Sequence, residues 1–436
     1  MSDPMAADNQ VNAAQMTLLR GKLLQEAHAR PSLPAPLPAQ LTHYAFMHRR
    51  DGQVLDPVAQ IEALCAALGT PPPDPDAWRH QIESGRTRLI WERHTEMSTL
   101  TLMEEGPGKP PFSGPPELGL PGEVLDRFGD LLSATRLDVQ PSSKGRLKPE
   151  LARQAFGENR FIASAIGGGD FTVATDFKAD ATGAVRFILF DPGAPDDRRG
   201  RVVQKLLEVD AYRIAALLAL PLAQALGQEL NRLENALDTL SAQISEPPQT
   251  GRDKDLLERL SRIAGEVTAA DARTHYRFAA SRAYDAVMRE RLTRLREERV
   301  EGYERLSVFL ERRQAPAMRT CEAAQRRLDA LGQRVTRANQ LLATRVNVAL
   351  EDQNAALLAS MDQRARLQLR LQETVEGLST VAITYYGTGL AHYLFKGVAG
   401  SFWPALNVAL ATALVVPVIF GGVWLALQRV KRSLRD

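Results

Sequence analysis

The chain has 436 residues, so it has room for about two or three structural units. Lys and Arg total 54 against 52 Asp and Glu, a formal charge of +2 that gives no electrostatic case for nucleic-acid binding. The two cysteines, Cys65 and Cys321, are far apart and form no CxxC or Cys/His cluster, so they read as reduced structural thiols.

Residues 1–38 read as a loosely ordered segment ending in a proline-dense connector, PSLPAPLP from Pro31 to Pro38. The first stretch, Met1 to Leu24, lacks a basic region followed by an apolar core, so no secretory signal is expected. Residues 39–195 read as an α+β domain with a mainly antiparallel sheet. Leu41 to His48 is a strand, Val58 to Leu68 a helix stopped by Gly69, and Arg86 to Met103 two strands or one bent one. Pro107 to Pro121 is loop, Val124 to Leu132 a helix and Ala134 to Val139 a strand. A short helix at Pro149 to Phe156 precedes strands at Phe161 to Ile166, Phe171 to Phe177 and Val185 to Phe190. The run Gly167-Gly168-Gly169 is a hairpin turn, since it lacks the Lys and Ser/Thr of a phosphate loop and a strand follows it. Asp176 reads as a turn residue, and Ser164 has no nucleophile-elbow pattern around it.

Residues 196–376 read as long, coiled-coil-like helices: 201–244 with a break at Pro221, a turn at 247–251, 254–313 with a break near Gly302, and a last soluble helix beginning at Pro316. In that helix Leu328, Leu331, Val335, Ala338 and Leu342 alternate spacings of three and four, as a heptad seam requires. The seam serves either packing within one subunit or self-association. Residues 377–428 hold two apolar stretches free of Asp, Glu, Lys and Arg, 378–394 and 405–427. A helix of ~20 apolar residues crosses ~30 Å of hydrocarbon, and lipid tolerates only helices or closed barrels. A two-helix transmembrane hairpin is therefore expected. Arg364, Arg366 and Arg370 precede it and Arg429, Lys431, Arg432 and Arg435 follow it, while the connecting loop has only Lys396. The positive-inside rule then puts both termini, and the basic tail 429–436, in the cytoplasm.

Two groups of residues stand out chemically. In Trp91-Glu92-Arg93-His94-Thr95-Glu96, continued strand geometry would put Glu92, His94 and Glu96 on one face. Such a row suits a divalent cation or acid/base work, and Glu26, His28 and Arg30 are candidates to join it. The structural alternative is a hydrogen-bonded strand face with Arg30 on a carboxylate, and no HExxH-like spacing supports a metal. No cofactor is otherwise expected. In the first apolar stretch Thr380, Thr384 and Thr388 recur every four residues, with His392 beyond them. This stripe suits close helix packing or a polar pore lining.

Several blocks occur together and in order: EAHARP (26–31), WERHTEMST (91–99), TDF (175–177), YRIAALLALPLA (212–223), YRFAASRAY (276–284), APAMRTC (315–321), QNAALLASM (353–361) and LRLQETVEGLSTVAITYY (369–386). On these the chain resembles the DUF3422 family of bacterial membrane-anchored proteins over nearly its whole length. The resemblance implies a bacterial inner-membrane location and transfers no activity. The layout is also similar to that of CorA-type ion transporters. Those carry Gly-Met-Asn after the first membrane helix, whereas the loop here reads KGVAGSFWP from Lys396 to Pro404, so only the layout is shared. The expectation is a non-enzymatic, self-associating scaffold or a module that binds a protein partner or ligand. A homo-oligomeric cation channel and a metal enzyme using His28, Glu92, His94 and Glu96 are the alternatives.

Overall fold

The computed structural model describes residue 20 and residues 33–50, 52–84, 86–106, 111–112, 127–247, 252–401 and 407–433. The expectations for Glu26, His28 and Arg30, for most of the 107–121 loop, for the turn at 248–251, for 402–406 and for 434–436 lie outside those residues. The chain divides into two compact units: residues 1–247 with 254–338, and residues 248–253 with 339–436.

The first unit is built on one large sheet. In chain order the strands are β1 (Ala39–Met47), the short ribbon β2 (Arg49–Arg50) and β3 (Gln53–Val54), β4 (Arg79–Ser84), β5 (Thr87–Arg93), β6 (Met97–Glu105), β7 (Asp130–Pro141), β8 (Ile162–Ile166), β9 (Phe171–Ala179), β10 (Val185–Asp191) and β11 (Glu298–Arg299). The sheet runs β11-β8-β9-β10-β7-β1-β6-β5-β4, and every neighbouring pair is antiparallel except β7 and β10. The helices of this unit are α1 (Pro57–Leu68), α2 (Pro149–Phe156), α3 (Asp196–Leu217), α4 (Leu220–Ser245), most of α5 (Arg252–Arg294) and the start of α6 (Leu306–Ser401).

Helices cover both faces of the sheet, and the strand period of two shows how. On β10, Phe187 and Leu189 join a core with Val203, Leu206 and Leu207 of α3, while Ile188 and Phe190 join one with Ala152, Ala155 and Phe156 of α2. On β5 the buried Trp91 packs with Ile61, Leu64 and Cys65 of α1. β10 is therefore apolar on both sides, whereas β7 buries Arg136, Asp138 and Gln140 on one of its faces.

Four expectations need correction. The helix expected to reach Leu132 is not formed there: residues 127–128 are a turn, and β7 begins at Asp130. Gly129 sits at φ +113°, where a Cβ would come within 2.1 Å of the Met47 carbonyl, and Leu131 then pairs with Phe46. Sheet pairing outweighs a short apolar spacing. The polar edge strand β4 was not anticipated, since of its residues only Ile82 is buried. The helix expected over 254–313 ends at Arg294, and the connection to α6 adds β11 to the sheet edge. Pro316 does not begin a helix but lies inside α6, where it is exposed. A mid-helix proline costs ~3 kcal/mol. Here Leu310, Gln314 and Met318 are buried on the other face, and Ser164 Oγ and the Glu297 carboxylate accept the N–H groups of Leu306 and Ser307 at the helix start.

Buried residues at alternating spacings of four and three also line α4 (Leu226, Leu230, Leu233, Leu237, Leu240) and α5 (Leu256, Leu260, Ile263, Val267, Ala270). Leu328, Leu331, Val335 and Ala338 of α6 are buried too; a Cβ on Gly332 of α6 would lie 3.7 Å from Val267 of α5, and Arg327–Glu234 and Arg273–Glu229 ion pairs tie α6 and α5 to α4. These four seam residues are thus satisfied within the chain.

In the second unit Arg345 pairs with Asp253 at 3.0 Å. Beyond it α6 turns an apolar series outward: Leu350, Leu357, Met361, Leu367 and Leu371 are all exposed. The last helix, α7 (Val408–Ser433), contains Val408–Arg429, which is long and apolar enough to cross a membrane. Among the described residues no other helix reaches that measure. The 378–394 stretch, expected as a first span, is the distal part of α6 and carries Thr, Tyr and His side chains that lower its apolarity.

Candidate functional site

The Glu92–Glu96 cluster is not one strand face. β5 ends at Arg93, and the His94 N–H donates to the Met97 carbonyl at 2.8 Å, closing a tight turn into β6. The turn separates the carboxylates. Glu92, with Arg79 3.9 Å away, stays on the sheet face under α3. Glu96 swings out to α5, where Arg277 donates at 3.0 and 3.3 Å and the Tyr284 hydroxyl at 2.6 Å. Burial alone would raise the Glu96 pKa, but hydrogen bonds from Tyr284 and Tyr276 and the charge of Arg277 hold it below the usual range. Tyr284 is pushed upward by burial and by that same hydrogen bond.

His94 stays at the mouth of a small, partly open chamber between the sheet and α3. The chamber has about 20 Å³; His43 of β1, Glu92, His94, Thr99 and Thr101 of β6, and Gln204, Glu208 and Tyr212 of α3 share its wall with Leu33, Met97, Leu207 and Ala211. That volume is about one water molecule. His43 Nδ1 lies 2.8 Å from Thr101 Oγ1, while His43 Nε2 and Thr99 Oγ1 are buried with no hydrogen-bond partner among the described residues. Burial, reinforced by nearby His94, lowers the His43 pKa to about 3, so its ring is neutral at physiological pH.

Outside the chamber lies an open cleft of about 430 Å³, lined by Trp78, Arg93, His94, Thr95, Met97, Tyr212, Ala283, Tyr284 and Val287. His94, Met97 and Tyr212 line both spaces. His94 meets Tyr212 edge-on at 6.4 Å, and Tyr212 stacks on Tyr284 at 5.8 Å. The cleft has the size and the mix of aromatic and polar groups of a small-molecule site. Three blocks that are far apart in sequence, 91–99, 212–223 and 276–284, converge on it.

The family is decided by the match over the whole length. A model of a family described as protein of unknown function, DUF3422, matches residues 15–434. The chain belongs to the DUF3422 family. No curated protein matches it.

Of the other candidates in this DUF3422 protein, Glu26, His28 and Arg30 lie outside the described residues. Among the described residues no three His, Cys, Asp or Glu side chains stand together as a metal would require. His43, Tyr212, Arg277 and Tyr284 were not singled out from sequence. Only the later-paired positions of His43 and Thr101 across β1 and β6 reveal the first. Asp176 is no turn residue: it is buried in β9, with Arg186 at 3.1 Å and Asn159 at 2.9 Å. Ser164 donates to Glu297 at 2.6 Å.

In the second unit the hydroxyls of Thr380, Thr384 and Thr388 donate to the carbonyls of Glu376, Thr380 and Thr384 at 2.8, 2.7 and 2.7 Å. Such back-bonding keeps a polar side chain satisfied within its own helix. His392 Nδ1 lies 3.1 Å from Thr412 Oγ1 of α7, and a Cβ on Gly387 would come within 3.0 Å of Ile419. Small and hydroxyl residues here permit close helix approach.

Proposed function

We propose that this protein is a membrane-anchored binding protein whose sheet unit receives a small ligand in the cleft formed by His94, Tyr212 and Tyr284. The observation that carries the reading is the pairing of that cleft with a small, largely apolar chamber behind it that holds two unpaired polar atoms. Aromatic walls supply contact area, while His43 Nε2 and Thr99 Oγ1 offer unspent hydrogen-bonding capacity. The Glu96–Arg277–Tyr284 network fixes the turn that carries His94. Binding rather than catalysis is favoured because Cys65 and Cys321 are buried and Ser164 is committed to Glu297.

In this reading α7 is the anchor; the uncharged 378–394 stretch completes a hairpin in the bacterial inner membrane, and the basic flanks put both termini in the cytoplasm. The exposed apolar series of α6 supports self-association. A cation-transport role has weaker support, because the Thr380, Thr384 and Thr388 hydroxyls already serve their own helix.

The test is native mass spectrometry of the full-length protein extracted from its own membranes in mild detergent. A bound small molecule is expected on the wild type and lost in Tyr212→Ala and His94→Ala. If wild type and both variants carry the same molecules, the cleft is not the site. Alkaline washing tests the anchor: the full chain is expected to stay with the membrane, and its release would remove that part of the reading.

A further inference from the structure

The connection between α5 and β11 gathers positive charge that the aromatic cleft does not use. Arg198, Arg201 and Lys205 lie at spacings of three and four on one face of α3. Arg294 and Arg296 come alongside from the end of α5. Lys205 Nζ donates to the Arg294 carbonyl at 3.3 Å. The guanidinium groups of Arg296 and Arg198 converge on a single acceptor, the Gly167 carbonyl, at 2.9 and 3.4 Å.

Part of this charge is neutralised. Arg198 pairs with Asp170, Arg291 with Glu208 and Arg294 with Glu290, and Glu298 borders the Gly169 side of the turn. Among the described residues Arg201, Lys205 and Arg296 pair with no carboxylate. Partial burial and then the charges of Arg201, Arg294, Arg291 and Arg296 push the Lys205 amine below its usual pKa. Arg296 also holds a left-handed backbone at φ 46°, uncommon for a non-glycine residue and a form of strain that recurs at ligand sites.

We propose that Arg201 and Lys205 of α3, with Arg296 at the Gly167–Gly169 turn, bind a small phosphate-bearing anion. Guanidinium forks and an ammonium group match the several oxygens of a phosphate. Glu298, at the Gly169 side of the turn, adds a negative charge that disfavours an extended polyanion and favours a ligand with few phosphates. Either a soluble phosphorylated compound or a phospholipid headgroup carries that chemistry.

The experiment is calorimetric titration of the full-length protein in an uncharged detergent. The probes are inorganic pyrophosphate and, separately, short-chain phosphatidylglycerol. Saturable binding is expected for at least one probe, weakened roughly tenfold or more in Arg201→Glu and in Lys205→Ala. Arg232→Ala, which removes an exposed arginine of α4, is expected to bind as the wild type does. Arg201 is exposed, so its variant keeps the test valid even if Arg296→Ala fails to fold. Tighter binding of pyrophosphate assigns the site to a soluble phosphate, and tighter binding of the lipid assigns it to a headgroup. Failure of both probes to saturate, or equal affinity in the Arg201 and Lys205 variants, overturns the proposal.

Discussion

Two buried groups in the sheet titrate in opposite senses, and removing either should expose the other. The His43 pKa falls from 6.5 to about 3 through burial, and that of Asp138 rises from 3.8 to about 6 for the same reason. Between about pH 6 and pH 4 the unfolded chain protonates His43 while the folded chain does not, so acidification destabilises. Over the same window the folded chain protonates Asp138 while the unfolded chain does not, so acidification stabilises. Each pH unit is worth ~1.4 kcal/mol per group, so the two effects largely cancel in the wild type. Relative to wild type, His43→Gln should gain ~2.5 kcal/mol of stability on going from pH 6 to pH 4, and Asp138→Asn should lose ~2 kcal/mol. The assay is urea unfolding of the full-length protein in mild detergent, read by protection of the buried Cys65 thiol in a Cys321→Ala background. Subtracting the wild-type curve removes the slope contributed by all other carboxylates. Differences that stay flat across the window for both variants would refute the opposed titrations.

Other outcomes follow from single contacts. Glu96→Gln removes the charge that Arg277 and Tyr284 address, and should cost ~2–4 kcal/mol at pH 7, measured by the same unfolding curves. Because the Glu96 pKa is lowered on folding, that cost should shrink as the pH falls below the ordinary carboxylate range; a constant cost would argue against the ion pair. Arg199→Met leaves the fully buried Asp191 carboxylate without its guanidinium, an expected loss of ~3–5 kcal/mol. An effect below ~1 kcal/mol would show that the backbone N–H groups of Gly193 and Ala194 suffice for Asp191. Gly200→Ala would place a Cβ 1.9 Å from the Leu33 carbonyl, displacing a segment that helps close the His43 chamber. Melting should drop by several degrees and exchange at the His43 ring should accelerate; unchanged exchange would separate the segment from the chamber.

Local pattern revealed much of this fold. The alternation on β10 and the 4-3 spacing on α6 show which residues are buried, because burial on a strand or helix face repeats with the period of the element. What escaped the pattern depends on partners distant in sequence. Leu131 and Leu132 are apolar side chains compatible with helix, and only pairing with β1 makes their segment strand. β4 is polar because it is an edge, and β11 is two residues long, so neither leaves a periodic signal. At the site, the unusual composition of 91–96 is legible in the sequence, but its arrangement is not, because the turn at His94 breaks the alternation. His43 looked like one more residue of an apolar strand, and Tyr284 and Arg277 like ordinary helix surface. Their roles arise when α5 is laid beside the turn.

The short strand β11 also has a protective role. Glu298 and Arg299 cap the backbone of Ala165 and Ser164, which would otherwise be an open edge of the nine-stranded sheet. Open edges recruit other chains. A fragment ending before Glu298, or a protein nicked between α5 and α6, should therefore stick to copies of itself through β8. Clumping of such fragments would report a lost seal.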